Sequence, residues 1–308
     1  MARPALTADL RDGVLELRLD TPNSEVNVFS EPAANELGNI LNELDFARVR
    51  ALVIRSKKPG SFVNGVGLMM ASAARDPEDV PRLSAGVRRA FRAVRALSIP
   101  TISAIQGNCY GCGVEFALHT RYRVAERTFD THFYMTELAD YLFLPVFGAT
   151  QDLPRLLGLG AAADFLMWGE RWSADEACKH GLVHASFTSD RFEAELDRFI
   201  EGVLRGEEPI ARPAAGSNTA VVDLTRARIA ALPEDYRELY ATCLALMQRA
   251  VASGADYAAE IAASARSLLQ PRAKSALSMF FVRQLARSTA VRNVVFEPVQ
   301  RVAVSGDP

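Results

Sequence analysis

Residues 99–118 constrain this chain more than any other stretch. IPTISAI is a short apolar run, of the kind that forms a strand buried on both faces. The turn that follows holds Gly107, Gly111 and Gly113. Val114, Phe116, Ala117 and Leu118 then open a helix, with Glu115 as the one acid among them. The first N–H groups of a helix have no internal partner and point outward. They can hold a developing negative charge, such as a thioester oxygen becoming an enolate. Glu115 lies close to that anion site in sequence, and Glu137 follows 22 residues later. An anion site beside two carboxylates is a kit for moving protons next to a thioester carbonyl.

The rest of the chain supplies a frame for this stretch. Val14 to Asp20 reads as a strand with alternating apolar residues. Ser30 suits a helix N-cap, Pro32 fits the first turn, and Leu37, Ile40, Leu41 and Leu44 follow at helical spacing. Ala51 to Arg55 reads as a buried parallel strand, so strand, helix and strand predict β-α-β units. Val80 to Leu97 reads as one helix with Leu83, Val87, Phe91 and Val94 on one face. Its arginines lie mostly off that face and read as solvated. Residues 160–169 read as a helix. Ser173 and Glu176 form a capping box, Gly181 stops that helix, and Leu182 to Phe187 is a last strand. His180 and His184 read as structural residues.

Charge and cysteine usage exclude several classes. A formal charge of −2 gives no reason to expect nucleic acid. No apolar run is long enough to span a bilayer, and the first 13 residues lack the apolar core of a signal peptide, so a cytoplasmic protein is expected. Cys109 and Cys112 form a C-x-x-C pair. No second pair or spaced histidine pair completes a zinc site, so neither metal nor redox chemistry is expected.

These motifs resemble those of the crotonase (enoyl-CoA hydratase/isomerase) superfamily. IPTISAIQGNCYGCGVE is similar to the family's strand, glycine turn and GGGxE helix start. TELADYLFLPVFGATQDLPRLLG is similar to PEVxLGxxPGxGGTQRLPRLxG, with one residue inserted between Glu137 and Pro145. Phe62 to Leu68 is similar to FxAGADL, and the likeness covers about residues 10–205. It implies an α/β fold with a crotonase-like ββα superhelix, or spiral, at its core. It implies hydration of a 2-enoyl thioester on coenzyme A or a carrier protein, with no cofactor beyond the coenzyme A of the substrate. Isomerisation, decarboxylation and a non-catalytic acyl-CoA-binding remnant are the alternatives. By the same resemblance the N–H groups of Val66 and Cys112 form an oxyanion hole, and Glu115 and Glu137 are catalytic. Val26, Val28, Gly65, Gly67, Leu68, Gly111 and Tyr141 contact substrate, and a homo-oligomer is allowed. Departures from the pattern are Gly67 for the usual Asp, Cys112 for Gly, Thr136 for Pro, and Val146 and Ala149 for two glycines. His119 and His132 match no catalytic position.

The crotonase-like domain is placed at residues 1–206 and a Pro/Gly/Ser-rich linker at 207–219. A helical extension follows at 220–290, with helices at 219–231, 233–253, 256–269 and 271–287. Leu239, Cys243, Leu246 and Met247 make one apolar stripe; Leu277, Phe280, Phe281 and Leu285 make another. This region resembles the linker of the multifunctional fatty-acid-oxidation alpha subunit, whose ALRSxFF is similar to residues 276–281. The tail, 291–308, is similar to the first strand of that family's dehydrogenase domain. It lacks G-x-G-x-x-G, so no dinucleotide site is expected. An apolar helix face needs a partner. The helix at 271–287 is therefore expected to pack on the crotonase core and close the acyl pocket, and residues 299–308 to be poorly anchored.

Overall fold

A computed structural model of the chain describes residues 3–45, 47–207 and 219–287. Strand β1 (Leu6–Arg11) pairs antiparallel with β2 (Val14–Leu19) across Asp12 and Gly13. Both turn residues have positive φ, 50° and 81°, as the tightest hairpin turns require. Only β2 carries a legible apolar alternation. In β1 Leu6 is the one buried residue, which is why periodicity does not predict that strand. Helix α1 (Glu31–Asn42) begins where Ser30 Oγ accepts a hydrogen bond from Ala33 N at 3.4 Å, and it buries Ala33, Ala34, Leu37 and Leu41.

The chain then repeats one plan three times: a strand, a short second strand, a helix. The first turn is β3 (Ala51–Ser56), β4 (Ser61–Val63) and α2 (Leu68–Ala73), followed by α3 (Asp79–Leu83) and α4 (Ala85–Arg95). The second is β5 (Thr101–Ile105), β6 (Asn108–Tyr110) and α5 (Cys112–Leu118). The third is β7 (Tyr122–Arg127), β8 (His132–Tyr134) and α6 (Thr136–Ala139). Helices α7 (Ala149–Leu157) and α8 (Leu159–Met167), strand β9 (Trp172–Ser173), α9 (Ala174–His180), β10 (Ala185–Thr188) and α10 (Phe192–Leu204) close the domain. The long strands form one sheet in the order β1-β2-β3-β5-β7-β10, parallel from β2 onward. The short ones form a second, β4-β6-β8-β9. This is the ββα spiral that the resemblance implies.

Two expectations need correction. The stretch from Val80 to Leu97 is two helices rather than one. Ser84 marks the break, its hydroxyl donating back to Val80 O at 2.6 Å. The last strand begins at Ala185, after the buried Leu182 and Val183. The capping box at Ser173 and Glu176 is present, and Gly181 ends α9 at φ 86°.

The extension comprises α11 (Thr219–Ala230), α12 (Glu234–Ser253), α13 (Tyr257–Leu268) and α14 (Pro271–Arg287). Helix α12 packs on α7 and α8 through Leu239, Cys243, Leu246 and Met247, all buried. Helix α13 lies on α3 and α7, and α14 lies on α2. Ala273 and Leu277 are buried there, and Lys274 Nζ donates to Ala74 O at 2.7 Å. The expected stripe ends early, because Leu285 is 63% exposed. Most of the linker and the whole tail from 288 lie outside the described residues, so the expectation for 299–308 does too. Among the described residues no helix is long and apolar enough to cross a membrane.

Candidate active site

A cleft of about 620 Å³ opens between the loop after β4, helix α6 and helix α14. It is lined by Val26, Val28, Gly65, Val66, Gly67, Leu68, Glu137 and Tyr141, eight of the eleven residues expected at the site. Glu115, Gly111 and Cys112 do not line it. A second space of the same volume lies between the outer sheet and α10, but Arg55 there is already paired with Glu16 and Glu193.

Glu137 sits in the first turn of α6. It is 7% exposed, and its Oε2 is buried with no hydrogen-bond partner. Burial pushes its carboxyl up to about 7, although hydrogen bonds from its own N–H and from Thr136 pull the other way. A general base acting near neutral pH is tuned in this manner. Gly111 makes room for it. A side chain there would start 2.5 Å from Glu137 Oε1, and its φ of 49° also favours glycine. Gly111 thus acts by standing behind the acid, not by lining the cleft.

Glu115, on α5, is 1% exposed. Its Oε1 accepts hydrogen bonds from Phe147 N at 2.9 Å and Ala149 N at 3.1 Å, at the entry to α7. Burial raises its carboxyl well above the ordinary range, and the charges of Glu137 and Glu260 add to the rise. Glu260, from α13, completes the arrangement. Its Oε1 accepts from Gly148 N at 2.7 Å, and its Oε2 accepts from Thr150 N at 2.8 Å and Thr150 Oγ1 at 2.5 Å. Four successive backbone donors, from Phe147 to Thr150, are therefore shared alternately by two buried carboxylates. Burial also lifts Glu260, to about 8. Periodicity gave no sign of Glu260, because a glutamate on a helix is ordinarily solvated. Between Glu137 and Pro145, Leu142 takes the left-handed conformation, φ 58°.

The two proposed anion donors come from neighbouring elements. Phe29 N donates to Gly65 O at 2.9 Å and Gly67 N to Phe29 O at 3.1 Å, which fixes the loop around Val66. Cys112 is the first residue of α5, after Gly111 N has bonded Tyr134 O at 2.8 Å. A Cβ on Gly113 would lie 2.2 Å from Val63 O, so the start of α5 is pressed against the end of β4. Neither Val66 N nor Cys112 N meets a protein acceptor among the described residues. Gly67 stands at the N-cap of α2, which has no side-chain cap hydrogen bond.

Several residues in the cleft escaped the sequence reading. Among them are Arg171, whose guanidinium lies 4.8 Å from the ring centre of Tyr134, and Gln284; Phe280 and Phe281 of α14, from the stripe expected to close the pocket, line the cleft too. The Tyr141 and Phe280 rings meet edge to face at 5.8 Å. Arg171 has no motif around it and is placed only by the turn between α8 and β9. Cys109 and Cys112 are fully buried, and burial drives both thiols upward, away from the thiolate that metal or redox chemistry needs. His119 is buried too, with Nδ1 2.8 Å from Glu115 O. His180 stacks on Trp172, and the His184 ring lies 5.4 Å from Tyr122.

The ββα spiral, with Glu115 and Glu137 buried in it, is that of the crotonase fold. The pattern of the Enoyl-CoA hydratase/isomerase family matches residues 9–266, and the chain belongs to that family. It is similar to the fatty acid oxidation complex subunit alpha of Shewanella loihica, 34% identical over 205 residues, which are 66% of this chain and 28% of that one. The subunit from Idiomarina loihiensis is 29% identical over 224 residues, 72% of this chain and 31% of that one. The match thus spans about a third or less of these relatives. Among solved structures, an enoyl-CoA hydratase from Mycobacterium avium subsp. paratuberculosis superposes with a TM-score of 0.62 at 22% identity, covering 91% of this chain and 96% of that one. OdaA from Pseudomonas aeruginosa gives 0.63 at 23%, covering 90% and 99%.

Proposed function

We propose that the protein adds water reversibly across the double bond of a 2-enoyl thioester, normally carried on coenzyme A. The observation that carries this reading is Glu137, which lines the cleft beside the Val66 loop and whose Oε2 is buried without a partner. The thioester oxygen would sit between the N–H groups of Val66 and Cys112, roughly 3 Å from each. Polarisation there draws electrons from C3. Glu137 takes a proton from water as the oxygen attacks C3. The enolate then collapses with a proton delivered to C2, and Glu115 helps to hold the water and return that proton. Arg171, at the cleft, would meet a phosphate of the coenzyme. Helix α14 supplies the wall over the acyl group.

A second reading is double-bond isomerisation, which moves a proton between C2 and C4 and needs one carboxylate. It is favoured by a specific observation: of the two glutamates, only Glu137 lines the cleft, while Glu115 Oε1 is occupied by two backbone donors. Turnover of a 2-enoyl and a 3-enoyl thioester in ¹⁸O-labelled water separates the two. Hydration puts the label on C3; isomerisation interconverts the substrates without it. No turnover of either, with acyl-CoA still bound, would sink both readings.

A further inference from the structure

Arg88 and Glu137 share an unusual property. Among the described residues, four buried side-chain polar atoms have no hydrogen-bond partner, and Arg88 Nε and Glu137 Oε2 are two of them. Asn108 Oδ1 is another, and Arg272 Nε lies in a separate pocket beside Glu238. Arg88 is half-buried, and a buried guanidinium nitrogen is normally satisfied. Arg123 shows this, donating to Leu182 O at 2.7 Å and Thr120 O at 2.8 Å. Arg88 instead gives one hydrogen bond, to Pro81 O at 2.6 Å, and has no carboxylate partner among the described residues.

Arg88 opens on a cavity of about 280 Å³ that also holds Arg92 and Arg95. Its floor is apolar, made by Phe91, Val146 and Phe147, and no acidic residue lines it. Arg95 is committed elsewhere, to Asp152 and the Tyr257 hydroxyl, both at 2.5 Å. Arg92 has no ion pair among the described residues. His119 contributes no charge, since burial drives its imidazole down to about 4. Burial, Arg92 and Arg89 all disfavour the charge on Arg88. Two of the three arginines of the cavity, Arg88 and Arg92, thus have no carboxylate partner among the described residues.

It is also in line with the cleft. A small apolar space of about 50 Å³ shares Val146 and Phe147 with the arginine cavity, and Val66 and Phe143 with the cleft. The order is therefore thioester site, apolar neck, arginine cavity.

We propose that the arginine cavity is a subsite for the far end of the acyl group, and that the preferred substrates are thioesters whose acyl chain ends in a carboxylate. The carboxylate would accept from Arg88 Nε and from Arg92, and the methylenes would lie along Val146 and Phe147. This rests on the reading of the cleft as an acyl-thioester site. It does not depend on which reaction occurs there.

The test uses binding alone, with unreactive saturated acyl-CoAs. Calorimetry on the full chain compares ω-carboxyacyl-CoA with the methyl-ended acyl-CoA of equal length, over a series of lengths. At the length that reaches Arg88, the carboxylate form should bind at least about tenfold more tightly, equivalent to 1.4 kcal/mol. That preference should vanish in Arg88→Gln and weaken in Arg92→Gln, with circular dichroism showing each variant folded. Methyl-ended chains binding as tightly at every length would overturn the proposal, and so would a preference unchanged in Arg88→Gln. If Arg88→Gln does not fold, the wild-type length series still decides. If neither series binds, the thioester reading itself has failed.

Discussion

Glu115 and Glu137 are the same residue type, both buried and both raised above the ordinary carboxylate range, yet their surroundings are opposite. Glu115 is fastened to the entry of α7 by two backbone N–H groups, alongside Glu260 from the extension. Glu137 lines the cleft and keeps one buried oxygen without a partner. Glu115 is anchored through Oε1 to another element, whereas the Oε2 of Glu137 is buried without a partner. Holding a water needs a fixed acceptor. Taking a proton needs an oxygen whose appetite has not been met by the protein.

The largest expected effect treats them alike. Glu137→Gln and Glu115→Gln should each lower kcat by at least about 100-fold, the lower range for a general acid–base group, with acyl-CoA affinity nearly unchanged. Full activity in Glu115→Gln would remove it from the chemistry and favour the single-carboxylate isomerase.

Alanine variants should separate them. Glu115→Ala and Glu260→Ala each strip two buried N–H groups of an acceptor. At about 1–3 kcal/mol for each unsatisfied group, denaturant unfolding should show a loss of at least ~2 kcal/mol. Glu137→Ala should cost far less, since no backbone donor from another element depends on it. Equal losses in all three would erase the contrast drawn above.

Next in size is the pH response. A base raised to about 7 is protonated below that pH, so kcat/KM should fall about tenfold per unit as the medium becomes more acidic than pH 7. Stability should move the other way. Raised carboxyls bind protons more tightly folded than unfolded, so their contribution is present at pH 4–5 and lost as pH rises to about 8. His119 opposes this only on the acid side, where an imidazole lowered to about 4 resists charging. The fall in melting temperature between pH 6 and pH 8 should be shallower in Glu260→Gln than in the wild type.

The smallest effect is expected at Cys112. If only its N–H serves the anion, Cys112→Gly should leave turnover unchanged. Abolished turnover would reveal a role for the thiol.

Much of this was legible in the sequence because it is local. Glycines at 107, 111 and 113, the capping box at Ser173, and the apolar periods of the four extension helices each follow from a few adjacent residues. The likeness around Glu115 and Glu137 pointed to both acids. What the sequence could not determine depends on which distant groups meet. Glu260 looks like a surface glutamate until α13 sets it on the start of α7, over 100 residues away. Gly111 looks like a cleft residue until Glu137 occupies the space behind it. Leu285 continues an apolar stripe in the sequence, yet it is exposed in the structure. Arg88 reads as one of five arginines on a solvated helix, and only the packing of α3, α4 and the loop before α7 buries its Nε without a partner. Local backbone preferences are written residue by residue, whereas burial and pairing belong to the assembled chain, and the titration of these acids follows from burial and pairing.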